Sequence, residues 1–288
     1  MIRLVLSDID GTLIERLPII KEEDAKAILT LQKEDISFGL VTGRDIGFCY
    51  HLMERHGLFA SCVIANNGGS LWIEKEKVME CHMLPQETIR IMEALIPYLD
   101  RCHPFICNEK QEYFLMRDSY ASEEVWREAR NTLSYLGTLR EEDLLDYVKK
   151  SQQPAVKISV YTYDQKTRDE LLPIMKELYP NYVVLPTAVD YIELTQQGVD
   201  KGKTLLDLLS RLNLGLEEVA VIGDGWNDVS MFSLIKHSFV MDSAPKEVQE
   251  QGRYLVKNVA QAIHSVIQYN KTGMMQARKS LGGKDDGE

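Results

Sequence analysis

The chain has 288 residues, of which 44% are hydrophobic and 27% charged, and its formal net charge is −11. This composition excludes global disorder, and the acidic balance argues against a dedicated nucleic-acid binder, which needs a basic face. No apolar run approaches the ~18 residues of a membrane-spanning helix, and Met1–Asp8 is too short and ends too acidic for a secretory leader, so a cytoplasmic location is expected.

At about 150 residues per domain the length suggests about two domains. Cys49, Cys62, Cys81, Cys102 and Cys107 are odd in number and contain no C-x-x-C pair, which fits reduced thiols. Cys81-His82, Cys102-His103 and Cys107 share one region, but structural zinc usually has tighter cysteine spacing.

In chain order, the N-terminal third alternates strands and helices. Short apolar runs predict strands over Ile2–Leu6, Ile36–Val41 and Cys62–Ala65, with helices over Glu22–Glu34 and Ile46–His56 between them. Strands separated by helices imply a parallel sheet with right-handed crossovers. The middle of the chain reads differently. Helices are expected over Gln86–Leu99, Ser122–Leu136 and Asp164–Leu178. Strands are expected over Phe105–Cys107, Glu112–Met116, Ala155–Thr162, Val183–Pro186 and Tyr191–Thr195. Strands without regular crossovers suggest an α+β insert over about residues 84–190. Alternation then returns, with helices over Lys201–Leu212, Asn227–Ile235, Pro245–Gln251 and Val259–Tyr269. The strands between them are Val219–Ile222, Phe239–Met241 and Leu255–Val256. From Lys271 the tail is polar and glycine-bearing, and disorder is expected over 271–288.

Four segments carry chemistry. Asp8-Ile9-Asp10-Gly11-Thr12 follows the first strand, where open α/β sheets bind ligands. Its two carboxylates lie on one side of an extended chain, and either share a cation or divide into nucleophile and acid/base. Val41-Thr42-Gly43-Arg44 places a hydroxyl and free N–H groups at the next strand end, which suits a phosphate oxygen and equally suits an ordinary strand-to-helix cap. Lys201 opens a helix, an end that favours anions, so an anion beside it would explain its position better than solvent does. Gly223-Asp224-Gly225-Trp226-Asn227-Asp228 follows the most apolar strand and offers oxygen ligands suited to Mg²⁺. An EF-hand calcium loop needs more acids, a terminal Glu and flanking helices.

Taken together, these segments resemble the four motifs of the haloacid dehalogenase (HAD) superfamily. Asp8, Asp10, Gly11 and Thr12 match the first motif, Thr42 the second, Lys201 the third, and Gly223, Asp224, Asn227 and Asp228 the fourth. The insert resembles the C2B cap of the Cof-type (subfamily IIB) phosphatases, and Asn66-Asn67-Gly68 resembles their Asn-Gly segment. The resemblance implies an α/β fold: a HAD-like Rossmannoid core with a parallel sheet over 1–83 and 191–270, and an inserted α+β cap over 84–190. It further implies a Mg²⁺-dependent phosphatase of a small phosphorylated metabolite, with a sugar phosphate as the expected substrate. Asp8 would be the nucleophile and Asp10 the acid/base, with Thr42 and Lys201 on the phosphoryl oxygens. Asp8, the Asp10 carbonyl and Asp224 would hold the metal, with Asp228 supporting Lys201 or the metal from behind. Gly11, Gly43, Arg44, Asn67 and Asn227 complete the expected substrate-binding set.

Trp226 departs from the small residue common among relatives. A sugar phosphomutase of the same fold, or a non-catalytic phosphosugar-binding protein, are the rival functions. In the insert, Arg117, Trp126 and Arg127 could touch a leaving group, although a Trp near Arg on a helix is more often packing plus solvated charge, and Glu193 has no assigned role.

Overall fold

The first strand, β1 (Leu4–Ser7), is buried at every position, as a central parallel strand with both faces covered should be. Helix α1 (Glu22–Lys33), β2 (Ser37–Val41), α2 (Ile46–Arg55) and β3 (Cys62–Ala65) follow. The chain then folds back through Asn66-Asn67-Gly68-Gly69 into β4 (Ser70–Ile73), antiparallel to β3, and continues to β5 (Glu76–Glu80). The structure is a computed structural model. It describes residues 1–15, 18–98, 101–108, 113–115, 139–140, 149–150, 154–188, 190–275 and 278–279.

A second run of elements comprises α3 (Pro85–Leu95), β6 (Cys102–Asn108), β7 (Tyr113–Leu115), β8 (Leu139–Arg140), β9 (Ala155–Thr162), α4 (Gln165–Leu178), β10 (Tyr182–Ala188) and β11 (Tyr191–Gln196). The final run is α5 (Lys201–Leu212), β12 (Val219–Gly223), α6 (Val229–Phe232), β13 (His237–Met241), α7 (Lys246–Gln249), β14 (Tyr254–Val256), α8 (Val259–Thr272) and β15 (Arg278–Lys279).

The chain divides into two compact units, Met1–Met79 with Asp200–Glu288, and Glu80–Val199. In the first unit the sheet order is β15-β14-β13-β12-β1-β2-β3-β4-β5. It is parallel from β14 to β3, with antiparallel strands added outside β3 and β14. The connections run outward on one side from β1 to β3 and on the other from β12 to β14. The order therefore reverses between β1 and β12, and such a switch point opens a crevice at the carboxyl ends of the strands. Helices α1 and α8 pack on the sheet, and the buried Asp24 of α1 accepts the Ala260 N–H at 2.7 Å, satisfying a donor of the first turn of α8.

In the second unit the order is β10-β11-β9-β6-β7-β8. Ile91, Met92 and Leu95 of α3 and Leu171 and Met175 of α4 bury against Ile106, Ile158, Ile192 and Leu194 on one face of this sheet. On the alternate residues of the same strands, Glu193 forms a buried ion pair with Lys157 at 2.5 Å and accepts from the Ser159 hydroxyl at 3.2 Å. Glu193 thus has a structural partner that its position in the sequence did not disclose.

Three expectations differ from the structure. Tyr191–Leu194 pairs antiparallel with Tyr161–Ile158, so β11 belongs to the second sheet and the chain returns to the first unit at Asp200, not at residue 191. The helix expected over Asn227–Ile235 is a single 3₁₀ turn, Trp226–Asp228, followed by the short α6, because Asp228 turns its carboxylate back onto the loop. The tail does not lose order at Lys271. Helix α8 runs to Thr272 and stops at Gly273, whose φ of 74° is the left-handed cap that favours glycine. Arg278–Lys279 then pairs with β14, whose edge would otherwise present unpaired backbone groups. The helix expected over 122–136, and Arg117, Trp126 and Arg127, lie outside the described residues.

Candidate active site

At the end of β1 the chain stays tied to β12, with the Asp8 N–H donating to the Ile222 carbonyl at 2.8 Å. That bond places Asp8 beside the loop after β12. Gly11 has a φ of 81°, and a Cβ built on it would lie 2.1 Å from Asp224 Oδ2. Only glycine lets the first loop make this turn against the fourth. Thr12 then donates from Oγ1 to Asp224 Oδ1 at 2.8 Å, fixing the carboxylate across the switch point.

Lys201 is the first residue of α5, and the helix is capped by Asp200, which accepts the Lys203 N–H at 2.9 Å. The anion inferred from the position of Lys201 is a pair of carboxylates. Its Nζ donates to Asp8 Oδ1 at 2.7 Å and to Asp228 Oδ1 at 2.6 Å, and its side chain is 1% exposed. Burial works against the ammonium, but Asp228 and Asp8 outweigh it, and its pKa is raised. The other oxygen of Asp228 accepts the N–H groups of Asp224 and Gly225 at 3.0 and 2.9 Å. Asp228 is therefore fully engaged in holding Lys201 and shaping the loop.

Asp8, Asp224 and Asp228 each place one carboxylate oxygen within 4.8 Å of the others. Burial raises the pKa of Asp8 well above the usual carboxylate range, and repulsion from Asp228 and Asp224 adds to this against the pull of Lys201. Burial also pushes Asp224 up to about 7, reinforced by Asp228 and Asp10 and opposed by the Thr12 hydroxyl and Lys201. Among the described residues, Oδ2 of Asp8 and Oδ2 of Asp224 accept no hydrogen bond. Two carboxylate oxygens without donors, one on the buried Asp8 and one on the half-buried Asp224, in a cluster with more negative than positive charge, suit a small hard cation with oxygen ligands. The Mg²⁺ expected from the sequence thus fits the residues present.

The second loop is held by a corner. The Asn67 N–H donates to the Thr42 carbonyl and the Asn66 N–H to the Arg44 carbonyl, each at 2.9 Å. Asn67 Oδ1 accepts from Asn227 Nδ2 at 3.0 Å, and the Gly68 carbonyl accepts from Thr204 Oγ1 at 2.8 Å. Gly68 has a φ of 97°, and a Cβ there would come within 2.5 Å of the Asp200 carbonyl. Asn66 and Asn67 also have positive φ, at 52° and 55°, a conformation asparagine tolerates better than most residues. Residues 66–68 thus join the second loop, the fourth loop and the start of α5. Gly43 sits half-buried between Thr42 and Arg44, and Thr42 is fully buried.

The residues matched to the four motifs and to the Asn-Gly segment therefore fall at the carboxyl ends of β1, β2, β3 and β12 or on the first turn of α5. Asp10 is the one whose side chain faces elsewhere than expected. Both of its oxygens accept from Arg44, at 2.7 Å each. The structure adds Thr12 and Thr204. Thr12 was visible as the last residue of the first motif, whereas nothing in the sequence marks Thr204.

With this geometry in place, comparison with known proteins is decisive for the family. Residues 5–269 match the haloacid dehalogenase-like hydrolase family. The chain belongs to it. The hydrolase is 23% identical over 278 residues to the 5-amino-6-(5-phospho-D-ribitylamino)uracil phosphatase YcsE of Bacillus subtilis, covering 93% of this chain and 95% of that one. It is 26% identical over 235 residues to a phosphoglycolate phosphatase of Methanopyrus kandleri, covering 80% of each. Its fold superposes on the subclass IIB sugar phosphatase BT4131 with a TM-score of 0.73 at 20% identity, covering 92% of this chain and 99% of that chain.

The hydrolase's Trp226 lies in the loop between Asp224 and Asp228 and is 49% exposed. Its five cysteines form no disulfide, and His103 bonds the Tyr163 hydroxyl at 2.8 Å. No helix among its described residues is long and apolar enough to cross a membrane.

Proposed function

We propose that this hydrolase is a Mg²⁺-dependent phosphatase of a small phosphorylated metabolite, with a sugar phosphate as the leading substrate class. The observation that carries the reading is the buried Asp8–Lys201–Asp228 chain beside Asp224. The relatives support the reaction and leave the substrate open, since one is a phosphatase of a ribitylaminouracil phosphate and another of phosphoglycolate.

Asp8 attacks phosphorus through one carboxylate oxygen, and an aspartyl-phosphate forms as the leaving oxygen departs. Lys201 fixes the rotamer of Asp8 by its bond to Oδ1. Its third N–H has no partner among the described residues and is available to a phosphoryl oxygen. Thr42 Oγ1 accepts the Arg44 N–H at 3.1 Å, which leaves its own proton to donate to a second phosphoryl oxygen. Asn227, held by Asn67, offers an amide to a third. Asp10 protonates the leaving oxygen and then takes a proton from the attacking water, help worth about 10²–10⁴-fold. The Asp8 and Asp224 carboxylates and the Asp10 carbonyl would hold the metal, which when bound would supply positive charge to offset repulsion between the nucleophile and the phosphate.

A panel of phosphorylated metabolites, assayed for free phosphate with and without Mg²⁺, tests this. Metal-dependent release that Asp8→Asn abolishes is the expected result. Isomerisation of a hexose phosphate that needs a bisphosphate activator and releases negligible phosphate would make the protein a mutase instead.

A further inference from the structure

Asp10 is bound by one side chain at both oxygens. Arg44 donates from Nε to Oδ2 and from Nη2 to Oδ1, at 2.7 Å each. This is the fork-on-fork arrangement in which guanidinium and carboxylate match best. Clamped in this way, the carboxyl cannot turn toward a leaving group without breaking at least one of these bonds. Arg44 is itself firmly placed. Its N–H donates to Thr42 Oγ1 at 3.1 Å, its carbonyl accepts the Asn66 N–H at 2.9 Å, and its guanidinium carbon sits 4.7 Å from the ring centroid of the buried Phe48. The side chain thus starts beside the hydroxyl proposed to bind phosphate and ends on the proposed acid.

The ion pair is also breakable. The Arg44 and Asp10 side chains are 27% and 46% exposed, and pairs at that exposure are screened and worth little. A phosphoryl dianion offers the same paired oxygen acceptors with more charge, so it competes well for the fork.

We propose that Arg44 is a positioning residue shared between Asp10 and the phosphoryl group. It holds Asp10 aside as a carboxylate before substrate arrives and transfers to the phosphoryl oxygens on binding, which frees Asp10 to take a proton from solvent and turn to the leaving oxygen. Apart from that proton, no covalent bond changes in this exchange. Two hydrogen bonds to a carboxylate are replaced by two to a phosphate. The inference rests on the phosphatase reading, and it gives Arg44 a role in coupling phosphate binding to readiness of the acid.

A double-mutant cycle on orthophosphate binding tests it, with the full chain and excess Mg²⁺. The variants are Asp10→Ala, Arg44→Ala and the pair, and calorimetry reads the dissociation constant. Removing Asp10 takes away the acceptors of Arg44 Nε and Nη2 in advance, so phosphate affinity should rise about tenfold when Arg44 is present and less than about threefold when it is absent. Equal or larger gains without Arg44 would mean that Asp10→Ala only removes a repelling charge, and would overturn the exchange. Asp10→Asn, which keeps the volume and weakens the clamp, should give the same pattern at smaller size. Should the wild-type chain neither bind orthophosphate nor hydrolyse any phosphate ester, the functional reading itself fails. Binding and hydrolysis with an additive cycle would remove the exchange alone.

Discussion

Lys201→Met replaces the ammonium with an apolar side chain of similar length. Lys201 is 1% exposed and bridges Asp8 and Asp228, which are 5% and 0% exposed. Its removal leaves three clustered carboxylates with no buried cation. Breaking a buried pair by deleting one partner costs about 3–5 kcal/mol, because the remaining charge stays desolvated. In a unit of this size that is a fall in Tm of at least about 6 °C.

The sign of the pH dependence follows from the carboxylates. Burial and mutual repulsion raise Asp8 and Asp224 above their usual range even with Lys201 present, and without it they rise further. A carboxyl whose folded pKa is raised keeps its proton longer in the fold than in the unfolded chain, so stability falls as pH rises through that window. The destabilisation by Lys201→Met should therefore be small near pH 4–5 and grow toward pH 8. Thermal melts of both proteins without metal, from pH 4 to pH 8, measure it. Turnover should fall by about 10²–10³-fold, the scale of losing a preorganised charge at the reacting group. A variant as stable as wild type at pH 8, or a loss independent of pH, would refute the reasoning.

Two further outcomes follow from the same cluster. Asp224 sits at about 7 against an ordinary value of 3.8, so below about pH 7 the cation must displace a proton from it. The stabilisation by Mg²⁺, read as a rise in Tm, should accordingly grow with pH between about 5 and 8, approaching about 2.7 kcal/mol at a metal concentration a hundred times the dissociation constant. Gly11→Ala forces a Cβ to within 2.1 Å of Asp224 Oδ2 at a φ of 81°. It should cost about 1–2 kcal/mol in backbone strain and reduce the Mg²⁺-induced gain in Tm as Asp224 is displaced, both visible in paired melts with and without metal.

The positions of the motif residues were legible because the apolar runs of β1, β2 and β12 end in polar, glycine-bearing turns, and strand ends are where such sheets bind ligands. The helix that begins at Lys201 was read with its observed bounds, since its apolar period is clean. What the sequence does not carry is pairing across long separations. Nothing local to Asp10 points to Arg44, thirty-four residues on. Nothing local to Asn67 points to Asn227, and the position of Lys201 by itself asks only for an anion; its link to Asp228 comes from the family resemblance. The same limit explains β11. Its alternation marks a strand, but only the ladder to β9 assigns it to the second sheet. Strands β4 and β5 escaped notice because the stretch from Ser70 to Glu80 is short, mixed and partly exposed, which gives periodicity little to work with.

The claim that Asp8 carries the phosphoryl group has the most direct test. A phosphate ester with a radiolabelled phosphoryl group is mixed with the full chain and Mg²⁺, quenched in acid within milliseconds, and the protein is digested and mapped. Label on the peptide containing Asp8, absent from Asp8→Asn and lost at the rate of phosphate release, is the expected result. Turnover with no protein-bound label at any quench time, or with label on another residue, would contradict it.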